Sequence, residues 1–146
     1  MKTIPNKKIP EAMIRLWQRR GKMLCLKIDG HSMRPSFQRG DQVELVIAEI
    51  DIHHLKTGDI IAFLQDGMII VHRYIKKKKV GKQWQICQRG DHLRGFRWIN
   101  AQQIIGTATA IHRNGRRIDF GCWYHTIWNR FLGYLSWLWI LGLETR

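Results

Sequence analysis

The stretch of sequence that decides the fold, residues 58–73, reads GDIIAFLQDGMIIVHR. Two apolar runs, residues 59–64 and 68–75, flank the pair Asp66-Gly67. An Asp-Gly pair in this setting favours a two-residue β-turn, because both central positions of that turn need a positive φ. The stretch therefore predicts a hairpin of two apolar strands, and the second strand carries His72.

Short apolar segments separated by Gly, Asp and Asn continue on both sides of this hairpin. They predict further strands at residues 23–28, 42–48, 84–87 and 106–112. Asn114-Gly115 predicts a second tight turn. Residues 10–20 differ, with Met13, Ile14 and Trp17 at helical spacing and a glycine just beyond, and they predict a short basic amphipathic helix.

The C-terminal segment is apolar and rich in tryptophan. Its uninterrupted apolar run, residues 131–143, would be about 20 Å long as a helix, which is shorter than the roughly 20 residues that a membrane span needs. Two interpretations stay open: a helix lying in the lipid interface, which tryptophan favours, and a helix packed on the sheet. We expect a mainly β fold in three parts: a basic helical segment (1–22), a β domain (23–120) and an aromatic C-terminal helix (121–146).

The charge of the chain indicates an anionic partner. Lys and Arg number 25 against 11 Asp and Glu, for a formal net charge of +14. An acidic membrane surface is one such partner. The lysines 76–79 and 82 are interpreted as a solvated hairpin end, and without an RNA-binding aromatic pattern or a helix-turn-helix signature, specific nucleic-acid binding is not expected. Cys25, Cys87 and Cys122 form no metal or disulfide pattern and are expected to be reduced core thiols.

A candidate nucleophile lies before the hairpin, in Gly30-His31-Ser32-Met33-Arg34-Pro35. A serine hydroxyl attacks at neutral pH only when a base takes its proton. His72 is the best candidate, because the pKa of histidine starts near 6.5, whereas that of lysine must fall from about 10.4. The structural alternatives are a turn serine beside a glycine and a half-buried strand histidine with a satisfied ring.

The order of these segments resembles the type I signal peptidases and their LexA-type self-cleaving relatives. The resemblance covers residues 24–111 and rests on the serine motif followed by Gly40-Asp41, Gly58-Asp59, Val71-His72-Arg73, Arg89-Gly90-Asp91 and Ile104-Ile105-Gly106. Most bacterial members use a Ser/Lys dyad, and this chain is similar to the branch that uses Ser/His. The resemblance implies Ser32 as nucleophile, His72 as base and Asp91 as the acidic partner.

The chain departs from that family pattern at two positions. Many signal peptidases carry an oxyanion-binding serine two residues before the nucleophile, where this chain has Gly30. An oxyanion hole would then rest on backbone N–H groups in the segment that holds Gly30, Ser32 and Met33. Histidine-type members also tend to carry an aspartate about six residues after the last Gly-Asp, where this chain has Arg97.

The expected function is a serine endopeptidase that cleaves a signal or leader peptide without a metal or organic cofactor. Its partners would be a peptide or preprotein and an acidic membrane surface. We expect a membrane-associated or cytoplasmic protein, since no apolar N-terminal signal or anchor precedes Ser32. The alternative is a catalytically silent basic β-domain that binds acidic lipid or nucleic acid.

Overall fold

A computed structural model describes residues 1–145 and, for residues 123 and 124, the backbone alone. Its elements, in chain order, are β1 (Thr3–Ile4), α1 (Glu11–Arg20), β2 (Lys22–Lys27), β3 (Gln42–Ile47), β4 (Ile60–Gln65), β5 (Met68–Val80), β6 (Gln83–Arg89), β7 (Arg97–Asn100), a 3-10 turn (Ala101–Gln103), β8 (Ile104–Arg113), β9 (Arg116–Asp119) and α2 (Trp123–Glu144). The predicted fold class is confirmed, since strands predominate and one helix lies near each end.

The strands form one sheet in the order β1-β2-β3-β8-β4-β5-β6-β7. The pair β1–β2 is parallel, and the other pairs are antiparallel. Strand β8 pairs with β4 near its start and with β9 near its end, so the sheet branches at β8. The predicted hairpin β4–β5 therefore lies inside the sheet, between β8 and β6.

Both predicted tight turns are present. Asp66 and Gly67 have φ values of 53° and 78°, and Asn114 and Gly115 have values of 51° and 74°, as this type of hairpin turn requires. Strand β5 runs five residues further than expected, to Val80. Strands β1 and β7 had no signal in the sequence strong enough to predict them, and both lie at the ends of the sheet.

Apolar side chains form two large clusters on the sheet. One contains Ile14 of α1 together with Met33 and Phe37, which follow β2, so the segment around Ser32 is anchored in the core. The second contains Phe63, Tyr74 and Ile86. Helix α1 ends at Gly21, whose φ of 57° is the left-handed value that glycine adopts readily after a helix.

Helix α2 packs one face against β5 and the segment before β4. A Cβ atom added to Gly133 would lie 2.6 Å from the backbone nitrogen of Gly58, so the two backbones meet with no room for a side chain. Arg130 donates to the carbonyls of Lys56 and Thr57, and further along the helix Ile140 is fully buried. One face of α2 therefore packs on the sheet, as one of the two interpretations of the C-terminal segment predicted.

The opposite face of α2, here called the apolar face, is exposed. It carries large side chains that are 38% to 60% exposed: Ile127, Trp128, Phe131, Tyr134, Leu135, Leu138, Trp139 and Leu143. Within residues 1–145, neither helix has the combination of length and apolarity needed to cross a membrane.

The three cysteines are free thiols in different surroundings. Cys25 and Cys87 are buried, as expected, and burial raises the pKa of the Cys87 thiol to about 12. Cys122 is exposed, so the expectation of a core thiol is wrong there. It directly precedes α2, in the short connection that follows β9.

We predict that Gly133→Ala weakens the docking of α2. The added methyl group collides with the backbone of Gly58, and overpacking of this kind costs about 1–3 kcal/mol. The measurement is chemical denaturation followed by tryptophan fluorescence. Gly142→Ala in the same helix is the control, because a Cβ there meets nothing within 4 Å. Equal stability of the two variants would contradict the close packing of α2 on Gly58.

Candidate active site

Ser32 lies in a turn that two buried side chains hold in place. Met33 and Phe37 are 4% and 1% exposed, and the backbone N–H of Phe37 donates to the carbonyl of Met33 over 2.9 Å. Ser32, directly before the first of these anchors, is only partly buried. The core therefore fixes the backbone on which the hydroxyl is presented.

The loop after β6 holds the same turn from the other side. The backbone N–H of His92 donates to the carbonyl of Ser32 over 2.8 Å. A Cβ atom on Gly90 would lie 2.5 Å from that carbonyl oxygen and 3.0 Å from the Cβ of Ser32. Position 90 therefore has room only for glycine, which explains the glycine of Arg89-Gly90-Asp91 in physical terms.

The structure brings Ser32 and His72 together. Nε2 of His72 lies 3.0 Å from Oγ of Ser32, and Nδ1 lies 2.6 Å from Oε1 of Gln88. An amide oxygen only accepts hydrogen bonds, so Nδ1 carries the proton. Nε2 is then the unprotonated nitrogen, oriented to accept the hydroxyl proton of Ser32.

The surroundings of His72 favour its neutral form. The ring is 9% exposed, and burial is the main cause that lowers its pKa below the ordinary value of 6.5. The hydrogen bond to Gln88 and the charge of Asp91 act in the opposite direction, while the charge of Arg97 lowers the pKa further. Near neutral pH the imidazole is therefore uncharged, as a base must be.

Asp91 does not occupy the place that the sequence analysis gave it. Its carboxylate accepts from Nε and Nη2 of Arg73, both over 2.7 Å, and from the hydroxyl of Ser36. The position beside Nδ1 of His72 belongs to Gln88. The physical reason is that Arg73 points into the protein with no exposed surface, and a buried guanidinium needs a carboxylate partner more than a neutral imidazole does.

Arg73 also joins several segments around the site. Its Nη1 donates to the carbonyl of Gly58 over 2.9 Å and to Oδ1 of Asn129 on α2 over 3.1 Å. Its Nη2 reaches Oγ of Ser36, in the turn that follows Ser32, over 3.2 Å. Asp91 and Arg73 thus position the two segments that carry Ser32 and His72 without touching either reacting atom.

Gln88 is the residue that sequence reasoning missed. The strand predicted at residues 84–87 stopped one position short of it, because Gln88 and Arg89 are polar. The sequence feature that could have identified Gln88 as a site residue is its position directly before Arg89-Gly90-Asp91, on the strand that follows β5.

The backbone of the predicted oxyanion segment is open. Within the described chain, no hydrogen bond uses the N–H of Gly30, Ser32 or Met33 as donor. A Cβ on Gly30 would meet nothing within 4 Å, so no side chain covers this side of the turn. These N–H groups are available to a developing oxyanion.

Two cavities meet at Ser32. The smaller, of about 120 Å³, is mainly apolar and includes Ile28, Met33 and Phe37 in its wall. The larger, of about 420 Å³, also contains His72 and Gln88 and extends along the loop between β6 and β7. Among the residues that the structure describes, no lysine lies in the wall of either cavity, and His72 is the base that faces the serine.

A partly exposed serine hydrogen-bonded to an oriented, neutral histidine is the arrangement found in serine hydrolases. The Peptidase S24-like family model matches residues 3–86, more than half of the chain. The chain therefore belongs to this family, the LexA- and signal-peptidase-type serine peptidases. The match includes Ser32 and His72 and ends before Gln88, Asp91 and α2. No curated protein sequence matches the chain.

We predict that Asp91→Asn lowers the free energy of unfolding by about 3 kcal/mol, because it leaves the buried charge of Arg73 without its counter-ion. Urea denaturation measures the change. Asp119→Asn is the matched control: it removes a carboxylate from an exposed pair with Arg117 and should have little effect. A stable Asp91→Asn protein without hydrolase activity would instead indicate a direct catalytic role for Asp91.

Proposed function

We propose that the protein is a serine endopeptidase that uses Ser32 as nucleophile and His72 as general base. The observation that carries the proposal is the 3.0 Å contact between Oγ of Ser32 and Nε2 of His72, with Gln88 holding the other ring nitrogen. Gln88 fixes the tautomer of His72 as the acid of a triad would, but it adds no negative charge.

The reaction proceeds by acyl transfer. Oγ of Ser32 attacks the carbonyl carbon of the scissile peptide while its proton passes to Nε2 of His72. The tetrahedral intermediate collapses, the C–N bond breaks, and His72 returns the proton to the leaving amine. Water then attacks the resulting ester with His72 again as base, which releases the acid product and restores Ser32. Backbone N–H groups near Ser32 stabilise the oxyanion in both halves.

The substrate we propose is a signal or leader peptide with a small side chain next to the scissile bond. The 120 Å³ apolar cavity beside Ser32 supports this, because its volume and its wall suit a small apolar side chain. A silent binding domain is the competing function. The alignment of the serine with an unprotonated ring nitrogen favours the peptidase, because binding of lipid or nucleic acid would not need it.

We predict that Ser32→Ala and His72→Ala each abolish hydrolysis and that the double variant is no worse than either. The nucleophile and its base act as one unit, so either loss removes most of the rate enhancement, which is about a millionfold in a well-studied serine protease. Mass spectrometry of peptides incubated with folded wild-type and variant proteins measures cleavage. Substantial cleavage by folded Ser32→Ala would end the proposal.

The same assay yields a pH profile that tests the base. kcat/KM should rise with pH as His72 loses its proton and be half-maximal below pH 6.5, because the folded protein lowers the pKa of this group. Gln88→Glu places a carboxylate beside Nδ1, stabilises the imidazolium and should move the midpoint upward. Gln85→Glu, on the same strand, is the control with equal charge. A wild-type midpoint above about 8 would indicate a lysine base such as Lys56 or Lys82.

We further propose that the apolar face of α2 binds an acidic membrane surface. Tryptophan and tyrosine with large aliphatic residues are typical of helices at the lipid interface. The formal charge of +14 complements anionic headgroups, which attract each nearby basic residue by about 1 kcal/mol. Because α2 stays packed on the sheet through its other face, binding requires no unfolding of the domain.

We predict that Phe131→Ser combined with Leu138→Ser weakens binding to vesicles of anionic phospholipid about tenfold or more, since both side chains are at least half exposed on the apolar face. Co-sedimentation with vesicles measures binding. Met13→Ser combined with Met23→Ser, also exposed but away from α2, is the matched control. Equal affinity of the two double variants for the vesicles would contradict the proposal. If the wild-type protein self-associates without vesicles and only the α2 variant loses this self-association, the apolar face instead binds a second copy of the chain.

A further inference from the structure

The larger cavity beside Ser32 has an unusual charge. Within the described part of the chain, three arginines contribute to its wall, Arg89, Arg94 and Arg97, and no aspartate or glutamate does. Asp91 follows Gly90 of the wall, but both of its carboxylate oxygens are bound by Arg73. The surface that leads to the nucleophile is therefore strongly positive.

Two of these arginines have no partner within the described chain. Arg94 and Arg97 are exposed, and neither forms an ion pair or a side-chain hydrogen bond there. The carboxylates of Asp41, Glu44 and Asp59, by contrast, are all engaged by arginines elsewhere in the fold. Arg94 and Arg97 are thus available to a ligand.

Arg89 fixes the side of the cavity that adjoins α2. Its Nε donates to the carbonyl of Leu93 over 3.0 Å, and its guanidinium lies 4.5 Å from the ring centre of Trp139. These contacts hold the loop that carries Arg94 against the end of β6. Arg89 is therefore the held member of the positive wall, and Arg94 and Arg97 are its exposed members.

The charge of this wall reaches the catalytic pair. Arg97 is close enough for its charge to lower the pKa of His72. Because Ser32, Arg94 and Arg97 line the same cavity, a ligand held by the two arginines would lie in the cavity that holds the nucleophile.

On these grounds, and resting on the proposed peptidase function, we propose that the protein prefers peptides with an aspartate or glutamate side chain within a few residues of the scissile bond, bound by Arg94 and Arg97. Guanidinium groups bind carboxylates through paired, charge-assisted hydrogen bonds. The volume of about 420 Å³ lies within the usual range for ligand sites. The apolar cavity on the other side of Ser32 would take the small side chain, so the two cavities select different parts of one peptide.

The first experiment measures cleavage of a randomised synthetic dodecapeptide library, with products sequenced by mass spectrometry. We expect Asp and Glu to be enriched on one side of the cleaved bond. In Arg94→Gln combined with Arg97→Gln, the ratio of kcat/KM for a selected acidic peptide to kcat/KM for its glutamine counterpart should fall about tenfold or more. Arg19→Gln combined with Arg20→Gln removes the same charge from α1 and is the matched control.

The outcomes separate this inference from the proposed function. Cleavage that persists in Ser32→Ala would overturn the peptidase. Ser32-dependent cleavage without an acidic preference, or with a preference that the Arg94/Arg97 variant retains, would overturn the acidic specificity alone.

A binding experiment tests the inference without turnover. A rhodamine-labelled alanine octapeptide with two central glutamates should bind Ser32→Ala protein about tenfold more tightly than its glutamine counterpart, and the difference should shrink as salt is added. Equal binding of the two peptides would overturn the inference. Loss of affinity for anionic vesicles in the Arg94/Arg97 variant, with peptide binding unchanged, would instead assign these arginines to lipid headgroups.

Discussion

The buried ion pair between Arg73 and Asp91 is the interaction on which the site depends. A guanidinium with no exposed surface is tolerable only when its donors are satisfied, and here a carboxylate, a carbonyl, an amide and a hydroxyl satisfy them. Those acceptors come from four separate segments of the chain. The requirement to satisfy one buried charge on β5 thus holds the segment before β4, the serine turn, the loop after β6 and α2 in a single arrangement.

This arrangement connects the C-terminal helix to the chemistry. Asn129 of α2 contacts Arg73, the neighbour of His72, and Trp139 of the same helix lies over Arg89 at the wall of the larger cavity. The packed face of α2 therefore supports the site through Asn129, and Trp139, the least exposed residue of the apolar face, adjoins it. In the proposed function, a membrane bound to the apolar face would lie beside the cavity that receives the peptide.

The sequence predicted the elements that local signals define. The Asp66-Gly67 turn and the helix that ends at Gly21 follow from short motifs, whereas the pairing of Ser32 with His72 follows from the resemblance of the whole order of motifs to the signal-peptidase family. The position of Gln88 beside His72 depends instead on a bulge in β5 at Ile75. Lys76 pairs with Cys87, and Tyr74, two residues earlier, pairs with Gln88, the next residue of β6. If the register of residues 76–80 continued without this bulge, Gln88 would pair with Ile75 and face the opposite side of the sheet from His72, and no local pattern predicts such a shift in register.

The neutral partner and the positive wall act together on His72. Gln88 orients the ring without the negative charge that would stabilise the imidazolium, and Arg97 disfavours the imidazolium further. An imidazole in such surroundings stays unprotonated but is a weaker base. Under the proposed specificity, a carboxylate of the substrate bound to Arg97 would offset that positive charge and make His72 more basic in the complex than in the free protein. The peptide that fits the cavity would then also supply the charge that the histidine lacks.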